Sequence, residues 1–156
     1  MQTVRREDTS VTMFIRSFCE EVFDLIVDTS RHGEYVKGYE DKLKGPKVLS
    51  RGGEFIWRIK LYNTVFRVYS FVSGLEYPRR YEERIHVPGL FRAAYAHILE
   101  EGEGGAQFTC TWRFEPVSWS ASGLLAERLM NGPDTIRQIA LDSIAGMRRL
   151  LEGGDG

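Results

Sequence analysis

The chain has 156 residues, 42% hydrophobic and 28% charged, a composition that fits one globular domain over 1–156 and excludes a disordered chain. Lys and Arg total 21 against 22 Asp and Glu, so the formal net charge is -1 and the basic excess of a dedicated nucleic-acid binder is missing. Cys19 and Cys110 make no disulfide framework, and no apolar run approaches the ~20 residues that cross a bilayer.

Met1 to Asp8 is polar and carries two acids, so it reads as neither a signal nor a transit peptide, and a cytoplasmic location is the expectation. Val11, Met13 and Ile15 alternate with polar neighbours and predict a strand. Ser17 with Glu20 reads as a capping box, opening a helix through Val22, Phe23 and Ile26 to about Asp28. Thr29-Ser30 starts a further helical turn or two ending near Val36. Gly45-Pro46 interrupts the stretch 38–50, which therefore reads as an edge strand with a bulge or break.

The pattern then becomes regular. Strands are predicted over Glu54 to Tyr62, Thr64 to Ser73, Tyr81 to Val87, Phe91 to Glu100 and Ala106 to Glu115. Turns at Asn63, Pro78, Pro88-Gly89 and the glycine-rich 101–105 separate them. One face carries Phe55, Trp57, Ile59, Leu61, Phe66, Val68, Ser70, Tyr81, Glu83, Tyr95, His97, Phe108, Cys110 and Trp112. The other carries Arg58, Lys60, Arg67, Arg84, His86, Arg92 and Arg113, as in an antiparallel sheet covered on one side. Tyr69 and Phe71 break this rule on the wet side, and are expected to meet the first helix or a partner chain, possible homodimer contact included. Leu124, Leu125, Leu129 and Met130 form a short apolar helical segment before Gly132-Pro133. A final helix from Asp134 places Ile136, Ile139, Ala140, Ser143, Met147 and Leu150 on one stripe and closes with Arg148-Arg149.

This series resembles the START/polyketide-cyclase superfamily (SRPBCC, helix-grip), in its polyketide cyclase/dehydrase or coenzyme-Q-binding-like branch. The residues that carry the likeness run from about Val11 to Leu151. They are Ile15 followed by Glu21 to Asp28, Gly52-Gly53-Glu54, Tyr77-Pro78-Arg79-Arg80, the glycine-rich turn before Gln107-Phe108-Thr109, and the Gly132-Pro133 break before the closing helix. The Gly45-Pro46 interruption departs from the pattern. The resemblance implies an α+β fold, a curved antiparallel sheet wrapped around a long C-terminal helix, with a cavity between them that takes a lipid, a quinone or a polyketide-like molecule.

Within that frame Glu83 and His97 are the informative pair, since a carboxylate on an apolar face is costly unless hydrogen-bonded. With Tyr95, Ser70 and Ser143 they would orient a polar head; Trp57, Phe66, Tyr81 and Trp112 would stack on the ligand, and Ile136, Ala140, Ser143 and Met147 would face it from the helix. The same residues also fit a plainly packed core. The enzymatic alternative is a cofactor-free cyclase, aromatase or dehydratase with Glu83 and His97 as acid and base; the other is an interaction protein without a ligand. His32, His86 and His97 lack ligand spacing, so no metal is expected, and no cofactor signature is present. The stripe Arg58, Lys60, Arg67 and Arg84 reads as a solvated face or a site of transient contact with an anionic membrane or protein. Cys19, in a first helical turn, reads as a structural thiol or, alternatively, a reactive one.

Overall fold

The computed structural model describes residues 7–61, 63–116 and 133–153. The chain forms seven strands: β1 (Glu7–Ile15), β2 (Tyr39–Lys44), β3 (Glu54–Leu61), β4 (Thr64–Glu76), β5 (Arg80–Val87), β6 (Phe91–Gly102) and β7 (Gly105–Pro116). All pair antiparallel in one sheet of order β1-β7-β6-β5-β4-β3-β2. Helix α1 (Cys19–Val27) and a 3-10 helix (Thr29–Glu34) connect β1 to β2, and α2 (Pro133–Leu151) follows the last strand. Because β1 and β2 are opposite edges, this helical connection carries the chain from one side of the sheet to the other.

The two faces separate as the alternation requires. Phe55, Trp57, Ile59, Leu61, Val68, Val72, Tyr81, Phe108 and Trp112 are buried, while Arg58, Lys60, Arg67 and Arg84 are exposed. Val22, Phe23 and Ile26 of α1 and Ile144 and Met147 of α2 join the same core. At 1.5 Å per residue, the 19-residue α2 is about 28 Å long, enough to lie across several strands.

Four details differ from the sequence-based expectation. Ser17 with Glu20 does not cap α1: the N-cap is Phe18, in extended conformation and without a side-chain cap bond. Ser17 stands one residue too early, and its hydroxyl donates instead to Glu21 Oε2 at 2.7 Å. The apolar stripe of α2 includes Ile144 and leaves Leu150 exposed, with Leu151 packed against the core. Tyr69 and Phe71 do not pack under a helix; both are 38% exposed on the outer face. Cys19 is buried, and burial pushes its thiol up, so this helical position does not favour thiolate.

The Gly45-Pro46 interruption has a local cause. Strand β2 is an edge whose register against β3 shifts twice, and it ends at Lys44. Gly45 then takes φ +132, where a Cβ would lie 2.4 Å from Phe55 Cβ, so only glycine lets the chain pass over β3 there. Pro46 and Lys47 carbonyls accept from the buried Thr29 hydroxyl at 2.7 and 2.9 Å, tying this break to the 3-10 helix. The expected helical segment at Leu124, Leu125, Leu129 and Met130 lies outside the described residues, as does Gly132.

Candidate functional site

Strands β5, β6 and β7 set the polar wall of the site. Their register places Glu83 opposite Tyr95 and Tyr95 opposite Trp112, and in the next inward row Tyr81 opposite His97 and His97 opposite Cys110. Directly opposed side chains on one face of a sheet stand close enough to touch. The Tyr81 and Tyr95 hydroxyls accordingly donate to the two oxygens of the Glu83 carboxylate. Ser70 of β4 supplies a third hydrogen bond to Glu83, and the Trp57 indole nitrogen donates to Ser70 Oγ at 2.9 Å. Three hydroxyls thus hold a carboxylate that is 2% exposed.

Electrostatics follow from these partners. Burial raises Glu83 to about 7, and the three hydrogen bonds pull only part of the way back. Burial also holds Tyr81 and Tyr95 far above the ordinary phenol range, so both remain donors. His97 is pushed down to about 3 by burial, with His32 adding to the effect, and is neutral at physiological pH. Cys110 is raised to about 12 by burial and is an apolar wall group rather than a nucleophile.

In front of this wall, between sheet and α2, lies a cavity of about 200 Å³. Trp57, Tyr81, Glu83, Tyr95, His97 and Trp112 line it from the sheet, and Ala140, Ser143 and Met147 from the helix. Phe66 and Ser70 are not brought to it: Phe66 is half-buried beside the core, and Ser70 sits behind Trp57. The side chain of Ile136 lies outside the described residues. Ser143 reaches the wall with its hydroxyl already engaged, donating to Ile139 O at 2.8 Å and accepting from Lys37 N at 3.0 Å. It ties α2 to the chain leaving the 3-10 helix.

Among the wall residues that escaped the sequence pattern are His32, Tyr35 and Tyr39. They come from the 3-10 helix, the turn after it and the irregular edge strand, where neither helical nor strand periodicity holds. Tyr39 stacks on Trp57 at 5.5 Å and 17°. His32 Nε2 lies 2.7 Å from Ile26 O, and burial lowers its pKa. The run of three rings between Arg31 and Glu40 was the available signal.

Two buried polar atoms have no hydrogen-bond partner among the described residues: His97 Nδ1 and Trp112 Nε1. Both residues face the cavity. A buried group left unpaired costs roughly 1–3 kcal/mol, so the wall is polar at these two points without being satisfied by the described residues. No group of His, Cys, Asp or Glu among the described residues is arranged to hold a metal ion.

The outer face of the sheet carries a separate groove of about 670 Å³, where Ile56, Tyr69 and Phe71 meet Arg84, His86 and Arg92. A partner bound there would be separated from the cavity by the thickness of the sheet. Among the described residues, no helix is long and apolar enough to cross a membrane.

No protein-family model and no curated protein sequence matches the chain. Solved structures do. The chain is similar to protein CV1439 from Chromobacterium violaceum, at 12% identity over 93% of this chain and 96% of that one, with a TM-score of 0.75. It is similar to major latex-like protein 151 from Panax ginseng, at 11% identity, 94% and 97% coverage and a TM-score of 0.69. CalU16 from Micromonospora echinospora matches at 14% identity, 90% and 85% coverage and a TM-score of 0.56. With one seven-stranded antiparallel sheet, short helices after the first strand and a long closing helix, the chain has the helix-grip fold.

Proposed function

We propose that the protein binds a hydrophobic small molecule in the cavity between the sheet and α2, acting as a binding or carrier module. The observation that carries this reading is the cavity itself. Protein interiors are close-packed, and a space of about 200 Å³ that side chains leave unfilled gives up packing contacts at a cost to stability. A ligand offsets that cost. The wall suits an apolar guest, with aromatic rings from Trp57, Tyr81, Tyr95 and Trp112 and aliphatic contacts from α2. Size narrows the class: a 150 Å³ apolar cavity holds benzene, so this one suits a compact body of one or two rings rather than a long acyl or isoprenoid chain.

Native mass spectrometry of purified protein, followed by denaturing extraction, tests the proposal. A released ring-sized apolar compound supports it. An apo mass, together with no thermal response to any ring-sized compound, overturns it.

The enzymatic alternative rests on one observation, that Glu83 titrates near 7, the range an acid-base group needs. Against it, the Glu83 oxygens are occupied by three hydroxyls and its hydrogen-bond partners do not include His97. If Glu83 is catalytic, Glu83→Gln removes turnover and spares binding of the extracted compound; if it is structural, no turnover exists to lose.

A further inference from the structure

Among the polar groups on the cavity wall, those of one tryptophan and one histidine stand apart. The Glu83 carboxylate is satisfied by Tyr81, Tyr95 and Ser70, and the Trp57 N–H is satisfied by Ser70. Trp112, on the same face, is 3% exposed and its N–H has no acceptor among the described residues. His97 Nδ1 is likewise unpartnered, and the residues are diagonal neighbours, since His97 opposes Cys110 and Tyr95 opposes Trp112. Both line the same cavity, whose remaining wall is largely apolar.

An indole N–H donates and never accepts, so its missing partner must be an acceptor. A neutral imidazole offers Nδ1 as donor or acceptor according to tautomer, so it accommodates either kind of second polar atom. Native proteins leave few buried polar groups unpaired, and two such groups on residues that line one largely apolar cavity are the points where a guest's polar atoms would be matched.

We infer that the ligand is a compact ring system bearing a carbonyl oxygen, which accepts from the Trp112 indole N–H, with a second polar atom beside His97 Nδ1. This rests on the cavity-binding reading above and deepens it by assigning the chemistry of the ligand's head.

The test uses a matched pair of bicyclic probes, α-tetralone and tetralin, which share a frame and differ by the carbonyl. Calorimetric titration into the wild type is expected to favour α-tetralone about tenfold, the effect of one good hydrogen bond. Trp112→Phe keeps an aromatic ring and removes the N–H; it is expected to erase the preference by weakening α-tetralone while leaving tetralin unchanged or tighter. His97→Phe is expected to retain it. Equal binding of the two probes by the wild type overturns the inference and leaves the cavity reading standing, as a wall hydrated by a fixed water would give. A preference that survives Trp112→Phe, or that is lost only in His97→Phe, overturns the assignment to Trp112. Binding of neither probe overturns the inference; the cavity reading falls with it only where the purified protein also shows an apo mass and no thermal response to any ring-sized compound. The wild-type comparison decides the carbonyl question even if a variant fails to fold.

Discussion

At Glu83 burial raises a carboxylate on the inner face of a strand to about 7, and its three hydroxyl partners offset only part of that rise. Folded, the group keeps its proton up to about 7; its ordinary value is 4.5. Between those values the folded state binds more proton than the unfolded chain. Its contribution to stability is therefore fully present below the ordinary value and lost as pH rises through 7. The buried histidines act in the opposite sense: His97, lowered to about 3, and His32, also lowered, contribute stability above 6.5 that is lost as pH falls toward their folded values. Comparing wild type with Glu83→Gln isolates the first effect. From pH 4.5 to 8, the stability of the wild type relative to the variant is expected to fall by about 3 kcal/mol, measured by denaturant unfolding. A difference independent of pH would refute the raised pKa. Parity alone places Glu83 inward, but its donors are another matter. Tyr81 shares its strand and face; Tyr95 and Ser70 become its partners only through the pairing of β5 with β6 and of β4 with β5.

The elements that escape simple periodicity matter as much to the cavity as the regular ones. β3 and the middle of β4 alternate in burial residue by residue, and β5 nearly does, because one face is buried there, so their existence and inner residues are readable in the chain. β2 lacks that signal. It is an edge, twice shifted in register, and its burial does not alternate cleanly. Gly45 is the residue that permits its ending. Gly45→Ala meets both a positive φ and Phe55 at 2.4 Å, whereas Gly52, at φ +82, has nothing within 4 Å of an added Cβ. Chemical denaturation is expected to show a loss of about 1–3 kcal/mol for Gly45→Ala and a smaller one for Gly52→Ala. Equal losses would mean that backbone conformation, rather than contact with β3, is what the glycine supplies.

For the whole molecule, the central consequence is that sheet and α2 do not fill the space between them. Ala140 sits on α2 at the cavity, and Ala140→Phe places a ring into it. Calorimetric melting with α-tetralone at a hundredfold excess over Kd is expected to raise the wild-type Tm by about 5–10 °C, from a stabilisation of about 2.7 kcal/mol. The response is expected to vanish in Ala140→Phe, whose own Tm without ligand stays equal to or above the wild type. An undiminished shift in the variant would place the probe elsewhere, such as the groove around Tyr69 and Phe71.

What the sequence by itself determined is the set of local choices: which residues alternate, which strands have one wet face, where Asn63, Gly89 and Gly104 turn the chain, and that a long amphipathic helix closes it. These depend on neighbours within a few positions. That an inward carboxylate and histidine stand on two pairing strands was equally readable. Only the tertiary structure decided that three hydroxyls converge on Glu83, that Ser143 is engaged in tying α2 down, that Phe66 lies off the cavity, and that His32, Tyr35 and Tyr39 reach it. It alone showed Trp112 Nε1 and His97 Nδ1 without partners among the described residues. Such features depend on strand register and on small differences in volume among side chains far apart in the chain, and no short-range pattern encodes either.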